Sequence, residues 1–268
     1  MLWQALVDHF LVLRNAVFRS FVALVLTTVI GFSFATQFMS VLAVPLQDDA
    51  LGIMLEQGTV LGTLDQLIEI GTQTMPLLQV IEPTEAIEIF MRVSLLAGVA
   101  LAMPWFVLEL YLFIAPGVMP RTRVLTLGFI PIATILFVTG MAFAYLLMLP
   151  AAVPFLRDFM LFRFAWRPSA YFNLVTSLMF WIGLVFEMPL MVYALALAGW
   201  VRAVNLAKYW KFAVAGIAVL AAVITPTPDP VNMTIVMIPL FLLYGISILV
   251  AFLGQKTVAQ SSLRRKCR

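Results

Sequence analysis

The 268-residue sequence is 63% hydrophobic and 11% charged, with a mean hydropathy of +1.07 and a formal net charge of +3. An ordinary soluble domain is about 25% charged, so this chain has too little polar surface to cover itself in water, which argues against a soluble enzyme. Lipid admits only helices and closed barrels, and the apolar runs here are continuous rather than alternating, which selects helices. Residues 2–13 read as a short interfacial helix leading into a first span over 17–44. A long loop over 45–85 follows, with seven acidic residues and no Lys or Arg. Its apolar residues recur at roughly helical spacing, which predicts that part of it is amphipathic helix. Further spans are expected over 86–114, 124–149, 170–200, 212–224 and 231–253, with loops at 115–123 and 150–169. The fifth is short: at about 1.5 Å per residue it covers roughly 20 Å of a hydrocarbon core of about 30 Å.

The expected fold is therefore an all-α polytopic membrane protein of six transmembrane helices, one domain over 1–268, with a basic tail over 254–268. Arg14, Arg19, Arg121, Arg123, Arg202, Lys208, Lys211 and the five basic residues of the tail fall on one side, twelve of the sixteen Lys and Arg. The positive-inside rule then makes both termini cytoplasmic. A net positive charge in such a chain does not point to nucleic acid. One cysteine, Cys267, and one histidine, His9, allow neither an intrachain disulfide nor a Cys/His metal site. The first apolar run is too long for a cleaved signal peptide.

Glu187 falls near the middle of the fourth expected span. A carboxylate at that depth costs about 2.5–3.5 kcal/mol on insertion scales, so it must face protein or water. It reads either as a polar docking or proton site, or as a neutral acid hydrogen-bonded to a neighbouring helix. Pro104, Pro131, Pro189 and Pro239 lie within spans and predict kinks, hence a curved or cupped bundle. Asp8 and Glu109 are the carboxylates expected near the cytoplasmic face, and the simplest reading makes each a solvated interface residue. No metalloprotease, serine-hydrolase, P-loop or dinucleotide motif is present, which argues against an enzyme and predicts no cofactor.

Six segments in order carry a resemblance: residues 9–14 (HFLVLR), 83–86 (PTEA), 113–117 (FIAPG), 140–145 (GMAFAY) with Pro150, 186–189 (FEMP) and 224–230 (ITPTPDP). With these the chain resembles the TatC family, the multispanning receptor subunits of the twin-arginine protein translocase. The resemblance implies a kinked, cup-shaped bundle that binds twin-arginine signal peptides of folded precursor proteins at the cytoplasmic face. It implies single-span TatA/TatB-type partners, self-association in a multimeric receptor complex, and transport driven by the proton-motive force without hydrolysis by this subunit.

Two guanidinium groups call for carboxylates, best met in bidentate geometry. In the family these come from the glutamate of HLxELR and from a glutamate just after FIAPGL. Here Val12 and Thr122 stand at those positions. Asp8, one helical turn before Val12, and Glu109 are the candidate replacements. The expected signal-peptide site comprises Asp8, Arg14, Glu109, Phe113, Pro116, Arg121 and Thr122, and the expected partner contacts in the membrane are Glu187 and Met233. Two alternatives remain: a divergent paralogue that keeps the scaffold without binding signal peptides, and a small-solute transporter, although no inverted repeat supports the latter.

Overall fold

Between residues 11 and 33 the chain has no proline, and its one glycine, Gly31, comes at the end, so nothing stops a helix once it has started. In the computed structural model, which describes residues 2–46, 64–74, 82–114, 128–158, 167–197, 199–225 and 230–266, helix α1 accordingly runs unbroken over Leu2–Ser33. The separate interfacial helix expected over 2–13 is the first part of this helix. The span itself is Leu11–Ser33, ending well before residue 44. A break at Phe34 (φ −110, ψ 9) starts the short α2, Ala35–Ala43, which tightens into one 3₁₀ turn over Val44–Leu46. The long loop contributes α3, Leu64–Thr74, as its spacing predicted.

Helix α4 is Thr84–Ile114 and contains Pro104. Helix α5, Phe129–Phe143, widens into a π turn at Ala144–Met148 and continues as α6, Leu149–Asp158. The widening has a local cause. Pro150 donates no N–H and its ring crowds the carbonyl four residues back, so the preceding turn opens. The helix thus continues to Asp158 where a loop was expected to begin at residue 150. Pro131 sits in the first turn of α5, where a missing N–H costs nothing, and so it does not kink the span. Helices α7, Pro168–Phe186, and α8, Met188–Leu197, meet at Glu187. The short α9, Ala203–Lys208, precedes α10, Trp210–Ile224. The last helix, α11, runs over Pro230–Lys266, so the tail is helical to Lys266 rather than a detached segment; Cys267 lies outside the described residues.

Among the described residues no strand occurs, and five helical stretches are long and apolar enough to cross a membrane: Leu11–Ser33, Thr84–Leu110, Ile130–Pro154, Pro168–Leu197 and Met233–Gln255. The fifth expected span corresponds to α10, whose fifteen residues rise only about 22 Å.

Helix α1 packs antiparallel on α4. Arg19 meets Glu109 near one end, Thr28 lies against Gly98 in the middle, and Gly31 lies against Ser94. In each pair the two residue numbers add to nearly the same value, as one continuous antiparallel seam requires. Helix α7 packs between α4 and α5, and α8 and α10 pack on α11. The main core gathers Val93 from α4, Leu149 from α6 and Tyr171, Phe172, Val175 and Ile182 from α7.

Two tyrosines tie α2 into this core. Pro45 and the tight turn after α2 disturb the carbonyls of that helix's last turn. Tyr145 Oη donates to the Val41 carbonyl at 2.7 Å and Tyr171 Oη to the Leu42 carbonyl at 2.8 Å. Tyr171 is fully buried. Its replacement by phenylalanine leaves the Leu42 carbonyl without that donor, and a loss of about 1–3 kcal/mol is expected. Thermal unfolding in detergent checks this; an unchanged midpoint would show that the hydroxyl contributes nothing.

Candidate ligand and partner sites

At the end of the bundle that carries the N-terminus, α1 and α4 bring two of the conspicuous charges together. Glu109 is 5% exposed, and its Oε1 stands 3.3 Å from Nε of Arg19, whose own side chain is 54% exposed. This corrects the reading of Glu109 as a solvated interface carboxylate: α1 covers it and supplies its counter-ion. The same Nε also donates to the Asn15 carbonyl at 3.4 Å. Arg14 lies on the exposed face of α1, with Nη2 3.5 Å from Asn15 Oδ1. Asp8 and Phe113 are on α1 and in the last turn of α4, but their side chains lie outside the described ones. Pro116, Arg121 and Thr122 lie outside the described residues altogether. Arg19 was read only as one more positive charge on that side. Its partnership depends on the α1–α4 register, for which the sequence carries no local signal.

Glu187 occupies the junction of α7 and α8. Pro189 cannot complete the helical ladder and crowds the turn before it, and the chain responds at Glu187, whose N–H turns back to the Leu184 carbonyl at 3.2 Å. The side chain is 7% exposed, and among the described residues its Oε1 has no hydrogen-bond partner. Around it the surface is apolar and open: Leu184 is 42% exposed, Met188 39% and Met191 42%. Residues 173, 177, 180, 184, 187 and 191 follow one another at alternating steps of four and three, the spacing that keeps a stripe on one side of a helix. Of these, Asn173, Leu184 and Met191 are exposed and Ser177 and Phe180 half-buried, so the stripe is an open seam with a buried acid in it. Met233 is half-buried in the first turn of α11, the helix that packs against α7 and α8.

The opposite end of the bundle holds a polar cluster whose members were read separately, Glu85 in the acidic loop and the PTEA segment and Arg167 and Ser169 in the loop over 150–169. Glu85 is 3% exposed in the first turn of α4. Its Oε1 accepts from Arg167 Nε at 3.0 Å, from Arg167 Nη2, and from Ser169 Oγ at 3.3 Å. Arg167 caps the start of α7, so the carboxylate lies beside the positive ends of two helices. The hydrogen bond it donates to Glu85, and then the charge of that carboxylate, hold the Arg167 guanidinium above its ordinary range. Nearby, Arg92 donates to Glu88 Oε1 at 3.0 Å and to Asn173 Oδ1 at 2.6 Å, joining α4 to α7 on the exposed side.

A family model described as "Sec-independent protein translocase protein (TatC)" matches residues 8–239. The chain is 33% identical over 250 residues to the Sec-independent protein translocase protein TatC of Deinococcus radiodurans, covering 92% of this chain and 85% of that one. It is 35% identical over 173 residues to TatC of Helicobacter pylori, covering 64% and 69%. A crystal structure of the twin-arginine translocase receptor TatC superposes with a TM-score of 0.72 at 27% identity, covering 92% of this chain and 99% of that one. A second, of TatC in DDM, gives 0.74 at 26% identity. The fold, the order of the helices and the matched sequence agree: the chain is a helical membrane protein that belongs to the TatC family and is a component of a Sec-independent protein translocase.

Proposed function

We propose that this chain is the receptor and assembly core of a twin-arginine translocase, in the cytoplasmic membrane with both termini inside. The observation that carries the reading is Glu109, a carboxylate enclosed between α1 and α4 at the end of the bundle that holds the N-terminus. In a chain whose family positions carry Val12 and Thr122, it is the acid best placed to meet a signal-peptide guanidinium, with Asp8 on the preceding turns of α1 as the second. Arg14, Phe113, Pro116, Arg121 and Thr122 complete the site. The whole chain acts as one transmembrane domain. It binds and positions, and the proton-motive force supplies the work of transport.

The seam around Glu187 supports the second half of the reading. A stripe of heptad-like spacing, apolar on both sides of one unsatisfied acid from Phe180 to Met191, suits a single membrane helix carrying a polar group, as a TatA- or TatB-type partner would present, with Met233 on the neighbouring helix. Several copies of the chain assemble in the receptor complex.

Photo-crosslinking from position 122 in native membranes tests the receptor role. A twin-arginine precursor is expected to crosslink, and the same precursor with two lysines is not. The joint substitution Asp8→Ala and Glu109→Ala should weaken precursor binding by roughly tenfold or more, the loss of charge-assisted hydrogen bonds. Normal binding in that variant refutes the displaced acidic site. The second reading, a paralogue without signal-peptide binding, is favoured by Val12 and Thr122; an inserted chain that crosslinks neither precursor establishes it.

A further inference from the structure

Arg19 presents to Glu109 the same group that a twin-arginine ligand would bring. We infer that Arg19 is a built-in competitor: in the unliganded chain its guanidinium holds the Glu109 carboxylate, and an incoming arginine must displace it. This rests on the reading of Glu109 as a signal-peptide contact.

Three features fit a displaceable contact rather than a fixed strut. The pairing is made through Nε at 3.3 Å, and that nitrogen is shared with the Asn15 carbonyl at 3.4 Å. Among the described residues no ion pair is made through the terminal nitrogens, so Arg19 does not use the two-pronged geometry in which a guanidinium binds a carboxylate best. A ligand arginine that approaches end-on gains that geometry. Third, the Arg19 side chain is 54% exposed while Glu109 is 5% exposed. The released guanidinium therefore has somewhere to go, whereas the carboxylate does not. Helical side chains lean toward their own N-terminus, so Arg19, once released, extends toward the membrane surface, where its charge is hydrated.

The consequence is a threshold for binding. A tethered guanidinium lowers the affinity of every ligand by the fraction of time it occupies the acid. A single lysine, a point charge without the fork, pays that cost and regains little. The factor is the same for both ligands, so their affinity ratio is unchanged, but it sets a threshold: at a given concentration the arginine pair, with its guanidinium geometry, still binds and the weaker lysine pair does not.

The test is a double-mutant cycle on the full chain in nanodiscs. The probe is a synthetic peptide with an arginine pair ahead of an apolar helix, compared with its lysine-pair version. Arg19→Gln is expected to tighten binding of the arginine peptide by about tenfold and of the lysine peptide by the same factor, leaving their ratio unchanged. The gain should vanish in the Glu109→Gln background, whereas a general effect of removing one positive charge would persist there. If Arg19→Gln leaves affinity unchanged or weaker while Glu109→Gln still weakens it, the receptor reading stands and the competitor is refuted. If Glu109→Gln changes nothing, the acidic site itself fails. Because Arg19→Gln strands a buried carboxylate and endangers folding, the unaltered chain supplies a second measurement. Labelling of Arg19 by an arginine-selective dicarbonyl, followed by mass spectrometry, should rise severalfold when the arginine peptide saturates the chain and not with the lysine peptide. No rise at saturation overturns displacement.

Discussion

Replacing Gly98 with alanine is expected to destabilise the chain severely, whereas the same change at Gly216 should be neutral or stabilising. A Cβ on Gly98 would stand 2.8 Å from Cα and 2.9 Å from N of Thr28, backbone atoms of α1 that cannot rotate aside. The whole of α1 would have to shift. Neighbouring contacts of the same seam would shift with it, including Gly31, where an added Cβ would meet the Ser94 carbonyl at 2.8 Å. Overpacking of this kind costs about 1–3 kcal/mol and more where backbone is the obstacle. In apolar solvent, helix association depends on such close approach at small residues. A Cβ on Gly216 meets nothing within 4 Å, so only the helix preference of alanine acts there, worth roughly 1 kcal/mol in its favour. The two variants should separate in Tm by on the order of 10 °C. Thermal unfolding in one detergent, with limited trypsinolysis as a second probe, measures the difference. Equal midpoints would mean that the α1–α4 seam is looser than its geometry.

How much of this was legible beforehand follows the reach of each interaction along the chain. Helix type, the brevity of α10, the helical piece at Leu64–Thr74 and the presence of Glu187 in the fourth span depend on composition and spacing within one segment, and all were readable. The errors come from assigning breaks to polar residues and prolines one at a time. Asp8 and His9 do not interrupt α1, because a few polar side chains near a helix end still reach the interface. Pro150 and Pro154 do not end the third span, because a π turn absorbs the first of them. Pro189 does bend its span, but the change falls at Glu187, in the turn that the proline ring crowds.

The pairings had no such local trace. Arg19 with Glu109 spans ninety positions, and Glu85 with Arg167 spans eighty-two. Each depends on the register of two helices, which is set by glycine contacts and core packing rather than by the charged residues themselves. Motif comparison located the segments that matter, but placement at the end of a span misjudged Glu109, which α1 buries and Arg19 faces. The PTE segment likewise conceals a staple: the start of α7 brings Arg167 and Ser169 onto the Glu85 carboxylate.

Replacing Glu187 with leucine is expected to stabilise the isolated chain and to disable it as a scaffold. The carboxyl group sits 7% exposed with Oε1 unsatisfied among the described residues, beside open apolar surface formed by Leu184, Met188 and Met191. An acid in such a place costs about 2.5–3.5 kcal/mol on insertion scales, and a leucine of similar size removes that cost while extending the apolar stripe. If the acid is retained because a partner helix satisfies it, the leucine variant should melt higher alone. It should also retain far less of a TatA- or TatB-type partner on affinity purification or a native gel. Glutamine should fall between, since it keeps a hydrogen-bonding end without the carboxyl. The two readouts separate the possible roles. A lower melting point with the partner retained would make Glu187 an internal hydrogen-bond group of this chain, and the seam would lose its assigned occupant. A higher melting point with the partner lost would identify the unsatisfied acid as stability given up for assembly, which is the pattern expected where a local rule of membrane folding is broken at a functional position.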